Sequence, residues 1–238
     1  MEFNYETQAA SAQRMYTARA DKYKDSFHQD YTKRFMAVAD VRPGENVLIL
    51  ACGTGLEVFA AADRMGVEGE IVGVDAFDAI LYSSAFVLFD NPGGVVRSWR
   101  RYLKPEGRLV VDVTHEDNLK VGLLLERAAR RLGARFPSNR SWITDRNSIT
   151  GVLEGAGYVV ERVQLMDKLS GQGDTTYGMD QVDEQFDCIT GTPLTVNLAT
   201  EEFKRKTRDL FREEWEKAAV DGKVVNVDAV YVYVARRA

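Results

Sequence analysis

Short apolar runs and helical patterns alternate along most of the chain. Continuous apolar runs are typical of strands buried in a parallel sheet. Such strands are predicted at Asn46–Leu50, Glu70–Val74, Phe77–Ser83, Arg108–Val113 and Tyr158–Leu165. Apolar residues at three- and four-residue spacing predict one or two helices over 7–40, and further helices at Leu56–Met65, Pro92–Tyr102, Asn118–Leu132, Asp145–Ala156 and Thr200–Ala219. Strands alternating with helices predict an α/β fold.

The last part of the chain has a different pattern. Residues 166–199 are rich in Gly, Asp and Thr and show little periodicity, so no element is predicted there. Val224–Ala235 is β-branched and partly alternating, which predicts a final strand. Residues 166–222 would then be an insertion before that strand, and such insertions usually shape a substrate pocket.

The turn after the first predicted strand is the most informative stretch. It reads Ala51-Cys52-Gly53-Thr54-Gly55, and the next apolar run ends in Asp75. Gly53 and Gly55 allow the backbone close to a ligand, and Asp75 stands where a carboxylate accepts ribose hydroxyls. The alternatives are ordinary turn glycines and a plain strand-end acid. The third glycine of the dinucleotide fingerprint is missing, which argues against an NAD-type oxidoreductase.

Three blocks in order resemble the class I S-adenosylmethionine-dependent methyltransferases. They are the A-C-G-T-G turn, the F-D-A-I-L run at 77–81, and the W-R-R-Y-L-K-P-E-G-R-L-V run at 99–110; the resemblance covers about residues 16–165. It implies a Rossmann-like sheet with helices on both faces, and a last strand antiparallel between the fifth and sixth. It also implies S-adenosyl-L-methionine as cofactor, contacted by Ala51, Cys52, Gly53, Thr54, Gly55 and Asp75. Ile49 departs from the family, which usually has an acid at that position.

The resemblance divides the chain into parts of one methyltransferase domain. These are an N-terminal helical cap (1–40), a cofactor-binding core (41–165), a substrate-cap insertion (166–222) and the final strand (223–238). The activity it implies is methyl transfer to a small-molecule acceptor, in a branch similar to the UbiE and arsenite methyltransferases. The alternative is a protein of this fold with an impaired cofactor site, acting as a non-catalytic binding or partner subunit.

Five further residues are candidates for the site. Ser83 follows a strand at the edge where α/β ligands bind, although a structural capping role is the alternative. Tyr16 and Tyr23 could close the pocket against the sulfonium, or could pack in the core. His115 and His28 are the candidate general bases, because the pKa of histidine lies near neutrality. For both, a packing or capping role is the alternative.

The link between Asp75 and Phe77 conflicts with the family pattern. Only Ala76 separates them, where the family has a helix, a third strand and a loop. One residue spans about 3.6 Å, whereas a five-residue strand rises about 16 Å, so the chain cannot return to the start of a parallel strand. Either a segment is omitted from the sequence, or the protein lacks it, or Phe77–Leu81 is used differently, for instance as the start of a helix.

Composition narrows the classes of function. The formal net charge of -5 provides no basic footprint for nucleic acid. The N-terminus does not resemble a signal peptide and no apolar run is long enough for a membrane helix, so we expect a cytoplasmic protein without a membrane partner. Two cysteines are too few for a disulfide framework, and no cluster has metal-ligand spacing, so no metal is expected. The oligomeric state is not predicted.

Overall fold

The computed structural model describes residues 8–19, 22, 26–51, 55–65 and 77–238. The helices are α1 (Gln8–Arg19), α2 (His28–Ala39), α3 (Leu56–Met65), α4 (Pro92–Trp99), α5 (Lys120–Arg131), α6 (Thr150–Glu154), α7 (Val182–Thr190) and α8 (Glu201–Ala218). The strands are β1 (Val47–Leu50), β2 (Phe77–Tyr82), β3 (Leu103–Thr114), β4 (Tyr158–Asp167), β5 (Thr175–Gly178), β6 (Lys223–Asn226) and β7 (Ala229–Arg237).

Five strands form the main sheet in the order β1-β2-β3-β7-β4. β1, β2 and β3 are parallel, while β7 lies antiparallel between β3 and β4, as the resemblance implied. Leu50 pairs with Tyr82, and Tyr82 pairs with Val111. The residues that follow these positions therefore meet at one border of the sheet, called the carboxyl edge below. The fold is the expected α/β class with helices on both faces.

Alternating residues of the strands supply two apolar layers. Ala79, Leu81 and Val110 face α2 and α3, which bury residues such as Phe35 and Met65 against them. On the opposite face, Ile80, Leu109 and Val111 pack with Val96 and Trp99 of α4. Burial on both faces explains why these strands are almost continuously apolar. A third cluster joins α5, α7 and α8 through residues that include Phe186, Phe211 and Trp215.

Glu126 on α5 is a carboxylate with no solvent exposure. It accepts hydrogen bonds from Arg130 Nε at 3.1 Å, Ser138 Oγ at 2.9 Å and the backbone N–H groups of Arg140 and Ser141 at 3.0 and 3.3 Å. A buried charge is tolerated only when it is paired and hydrogen-bonded in this way. Glu126 thereby attaches the loop after α5 to the helix itself.

Most predicted elements are present, with shifted bounds. Three predictions are wrong in part. Val224–Ala235 is two strands, because the chain leaves β6 at Asn226 and enters the main sheet as β7 at Ala229. β6 pairs with β5 in a separate two-stranded sheet. Residues 166–199 contain β5 and α7, although their sequence showed little periodicity. The helix predicted over Asp145–Ala156 is limited to α6.

Phe77 begins a strand that pairs in parallel with β1, so the alternative in which it begins a helix is wrong. The predicted strand Glu70–Val74 and the link through Asp75 and Ala76 lie outside the described residues. Among the described strands, β1 pairs with β2 alone. Omission of a segment and true absence of it both stay open as explanations of the short link.

Candidate active site

Ala51 and Gly55 are the described residues between β1 and α3, at the carboxyl edge. Their φ angles are 54° and 86°, both in the left-handed region. The Gly55 carbonyl accepts the first helical hydrogen bond of α3, from Phe59 N at 3.0 Å. A Cβ at Gly55 would lie 3.3 Å from the Phe59 ring, which is close contact in a conformation that L residues rarely adopt. Of the predicted turn contacts, Cys52, Gly53 and Thr54 lie outside the described residues.

Ser84 is held from both sides at the end of β2. Its φ is 58°, so this residue is also left-handed. Asp112 Oδ1 on β3 accepts a hydrogen bond from the Ser84 N–H at 2.7 Å, and the Tyr16 hydroxyl of α1 donates to the Ser84 carbonyl at 3.1 Å. Tyr16, a predicted pocket residue, therefore contacts the carboxyl edge. Tyr23 and Asp75, predicted with it, lie outside the described residues.

Asp112 is the central carboxylate of this edge, and the sequence analysis missed it. Its Oδ2 accepts a hydrogen bond from the Tyr31 hydroxyl of α2 at 2.7 Å. Burial raises the pKa of Asp112 to about 6, although the bonds from Tyr31 and Ser84 act in the opposite direction. Burial and the neighbouring Asp112 charge hold the pKa of Tyr31 well above its usual value. The signal in the sequence was an acid inside the apolar run Leu-Val-Val-Asp-Val.

Glu57 forms a second connection between the cap and the sheet. It lies in the first turn of α3, where negative charge is favourable. Its Oε1 accepts hydrogen bonds from Thr32 Oγ1 of α2 at 3.1 Å and from Ser83 Oγ at 3.3 Å. The predicted site residue Ser83 is thus at the carboxyl edge, with its hydroxyl directed to Glu57. The sequence analysis did not single out Glu57.

His115 follows β3 at the same edge. Its surroundings favour a role as a hydrogen-bond donor over a role as a general base. Its Nδ1 accepts a hydrogen bond from the Asp117 N–H at 3.1 Å, so in the neutral ring the proton is on Nε2. The ring stacks on Tyr231, with centroids 5.1 Å apart, and the Tyr231 hydroxyl donates to Glu116 at 3.0 Å. Burial, followed by contact with Glu116, raises the pKa of Tyr231 to about 12. A general-base role for His115 stays a prediction.

His28, the other candidate base, begins α2. Its ring stacks on Phe27 with centroids 4.3 Å apart, and its Nδ1 pairs with the Ser26 hydroxyl. These are contacts within the cap itself. A catalytic role for His28 stays a prediction.

The carboxyl edge also contains the buried hydroxyl of Thr114. The Thr114 hydroxyl, on the last residue of β3, is inaccessible to solvent and has no hydrogen-bond partner among the described residues. A buried hydroxyl without a partner is costly, which suits a position that a ligand completes. Together with the left-handed backbone at Gly55, this fits a bound small molecule.

Among the residues that the structure describes, no group of three or more His, Cys, Asp or Glu side chains is arranged to hold a metal ion. No helix in the described ranges is both long and apolar enough to span a membrane.

Two curated relatives align with part of the chain, and no family model matches it. Nocamycin O-methyltransferase of Saccharothrix syringae is 25% identical over 119 residues, covering 35% of this chain and 42% of the relative. Demethylmenaquinone methyltransferase of Bacillus cereus is 35% identical over 54 residues, covering 23% of each protein. The chain therefore matches less than half the length of either relative.

Solved structures of the same fold cover nearly the whole chain. A cyclopropane-fatty-acyl-phospholipid synthase-like protein from Lactobacillus casei has a TM-score of 0.55 and 13% identity, covering 92% of this chain and 99% of that one. A candidate methyltransferase from Bacillus halodurans has a TM-score of 0.51 and 17% identity, covering 87% and 98%. At these identities the likeness concerns the fold. The chain is thus similar in fold to these two structures and, over part of its sequence, to two named methyltransferases.

Proposed function

We propose that this chain transfers a methyl group from S-adenosyl-L-methionine to a small-molecule acceptor. The observation that carries the proposal is that Ala51 and Gly55, at the two ends of the A-C-G-T-G sequence between β1 and α3, both have left-handed backbone angles. Glycine-containing connections from a strand to a helix N-terminus commonly present backbone N–H groups to a ligand. The methyltransferase relatives support the same activity.

The residues of the chain would act mainly by binding and positioning. S-adenosyl-L-methionine supplies an electrophilic methyl group on a positively charged sulfur. The turn from Ala51 to Gly55 would bind this cofactor, with Asp75 as the proposed ribose acceptor. Alignment of two reactants in a site without water is itself a large source of rate enhancement. A strong general base is therefore not required for every acceptor.

Three side chains have proposed roles around the acceptor. Tyr16 would close the site from the cap, since its hydroxyl already contacts the Ser84 carbonyl. The His115 ring would donate from Nε2 to an acceptor oxygen, and the Thr114 hydroxyl would form a second hydrogen bond there. An in-line transfer and the UbiE-like branch belong to the same proposal.

The short link favours a second candidate, a non-catalytic binding or partner subunit with an impaired cofactor site. Phe77 is at the amino end of β2, and Ala76 alone separates it from Asp75. Two peptide units span about 7 Å, which is less than half of the roughly 20 Å that a six-residue strand rises. Calorimetry with S-adenosylmethionine and S-adenosylhomocysteine distinguishes the two functions. If the folded protein bound neither, the second candidate would replace the first.

Gly55→Ala is expected to lower the affinity for S-adenosylhomocysteine at least tenfold. Alanine at a φ of 86° is strained, by about 1–2 kcal/mol, and its Cβ would press on the Phe59 ring. The turn must change shape to relieve both effects. Titration calorimetry of the purified variant measures the change.

Gly133→Ala is the matched control. Gly133 follows α5 with a φ of 70°, so the substitution introduces comparable strain, but no atom lies within 4 Å of the added Cβ. Its affinity for S-adenosylhomocysteine should equal that of the parent chain. If the two glycine variants bound S-adenosylhomocysteine equally well, the turn at Gly55 would not be part of the binding site.

A further inference from the structure

A cleft of about 450 Å³ lies between the N-terminal half of α2 and the turn at residues 168–171. Its volume is in the range of small-molecule sites. One wall belongs to the predicted cap, and the other is the start of the predicted insertion. We refer to it as the α2 cleft.

The α2 cleft reaches the carboxyl edge through Tyr31. This residue lines the cleft, is 3% exposed, and donates its hydroxyl hydrogen bond to Asp112. Phe27, which is 42% exposed, and Leu169 add apolar surface to the lining. A molecule in the cleft would therefore contact apolar groups, and the Tyr31 and Asp112 side chains would connect it to the Ser84 turn.

The charge of the lining is opposite to that of the chain. The lining contains three cationic residues, Lys33, Arg34 and Lys168, and one acidic residue, Asp30. The protein as a whole has a formal net charge of -5. The ion pair between Lys33 and Asp30 is 3.4 Å long, and both side chains are mostly exposed, so it holds Lys33 weakly.

Arg34 and Lys168 differ in whether an acidic residue already pairs with them. Arg34 donates to the Asp167 carbonyl at 2.6 Å and lies 3.4 Å from the Asp167 carboxylate. No acid forms an ion pair with Lys168 in the described ranges of the chain. The excess positive charge in the α2 cleft therefore comes mainly from Lys168, with a contribution from Lys33.

The turn that carries Lys168 is held in place. The Asp228 carboxylate, 8% exposed, accepts hydrogen bonds from Ser170 N at 2.9 Å and Ser170 Oγ at 2.7 Å. Gly171 N donates to the Lys168 carbonyl at 3.3 Å, and Lys168 itself has a φ of 52°. A cation on an ordered turn loses less freedom on binding a ligand than one on a loose loop.

We propose that the methyl acceptor is a small anionic molecule whose carboxylate or phosphate group is bound in the α2 cleft by Lys168 and Lys33. The inference rests on the proposed function, because it names the substrate class of that same site. The apolar part of the acceptor would contact Phe27 and Leu169. Its nucleophilic atom would point toward the carboxyl edge.

The test compares two probes of equal size that differ in charge, 4-hydroxybenzoate and 4-hydroxybenzamide. Each is titrated into the full chain while backbone amide resonances are followed by NMR. The benzoate should bind at least fivefold more tightly, with shifts concentrated at residues 27–34 and 168–171. Equal affinity for the two probes, or shifts located elsewhere, would overturn the inference.

Lys168→Glu should weaken benzoate binding at least fivefold and leave benzamide binding unchanged. The matched control is Lys223→Glu, on exposed β6 outside the cleft, which makes the same change in net charge and should leave both affinities unchanged. A similar loss in both variants would mean that the preference reflects overall charge, and the inference would fail.

Calorimetry with S-adenosylhomocysteine separates this inference from the proposed function. If S-adenosylhomocysteine binds and the charge preference is missing, the anionic acceptor is wrong and the methyltransferase proposal stands. If the charge preference is present and neither cofactor form binds, the methyltransferase proposal fails, and the anionic acceptor fails with it.

Discussion

Asp112→Asn is expected to remove about 2–3 kcal/mol of pH dependence from the free energy of unfolding. The pKa of Asp112 is about 6 in the folded chain against 3.8 for the free side chain. Between these values the folded state holds a proton that the unfolded state has released. The stabilisation from Asp112 is therefore complete below about pH 4 and is lost as the pH rises through about 6.

Urea denaturation of both proteins at intervals from pH 4 to pH 8 measures this difference. The parent chain should lose its advantage over the asparagine variant as the pH rises, because asparagine does not titrate. The other ionisable groups are shared, so their contributions cancel in the comparison. Parallel curves across this range would contradict a raised pKa at Asp112.

Tyr31→Phe, measured in the same way, tests the effect of the hydrogen bond to Asp112. The Tyr31 hydroxyl donates to the carboxylate and so holds the pKa of Asp112 lower than burial alone would set it. Without that bond, the pH at which the stabilisation is lost should move upward. Glu57 and its charge remain on α3 in both proteins, so the shift reports on Tyr31 itself.

Glu126→Ala is expected to lower the free energy of unfolding by about 3 kcal/mol. The substitution deprives the buried Ser138 Oγ and Arg140 N–H, and the N–H of the exposed Ser141, of their acceptor. It also removes the ion-pair partner of Arg130 and leaves a cavity. The loop after α5 should loosen. Chemical denaturation measures the loss. The midpoint should fall, while the dependence of the unfolding free energy on denaturant concentration stays unchanged.

Glu213→Ala is the control for this result. Glu213 on α8 is half exposed and pairs with Arg131 on α5, so it resembles Glu126 in chemistry and differs in burial. Exposed ion pairs contribute little, and the denaturation midpoint of this variant should barely change. A Glu126 variant as stable as the Glu213 variant would show that the buried hydrogen bonds are not important for stability.

The main sheet could be predicted because its signals are local. Continuous apolar runs at β1, β2 and β3 match a sheet buried on both faces, and α3 has the bounds that its periodicity indicated. The division between β6 and β7 could not be read locally, because all of 223–237 is strand-like in composition. The two parts separate since β6 pairs with β5 and β7 pairs with β3 and β4.

The candidate site was predicted only in outline. The turn around Gly55, Ser83 and His115 could be placed at the carboxyl edge from strand order alone. The roles of Asp112 and Glu57 depend on partners far away in sequence, Tyr31 being 81 positions from Asp112 and Thr32 being 25 from Glu57. An acid has the same identity whether it is solvated or buried, so its burial and pKa follow only from packing.

The order of apolar and polar residues alone determined that β1, β2 and β3 are buried strands of an α/β sheet, with a glycine-containing segment after the first of them. Those features follow from backbone geometry and from the burial of apolar side chains, which act over a few neighbouring residues. Only the tertiary structure decided which hydroxyls meet Asp112, how His115 uses its two nitrogens, and which cations line the α2 cleft. Each of these needs side chains from separate elements at hydrogen-bond or Coulomb range, and that proximity exists only after the elements have packed.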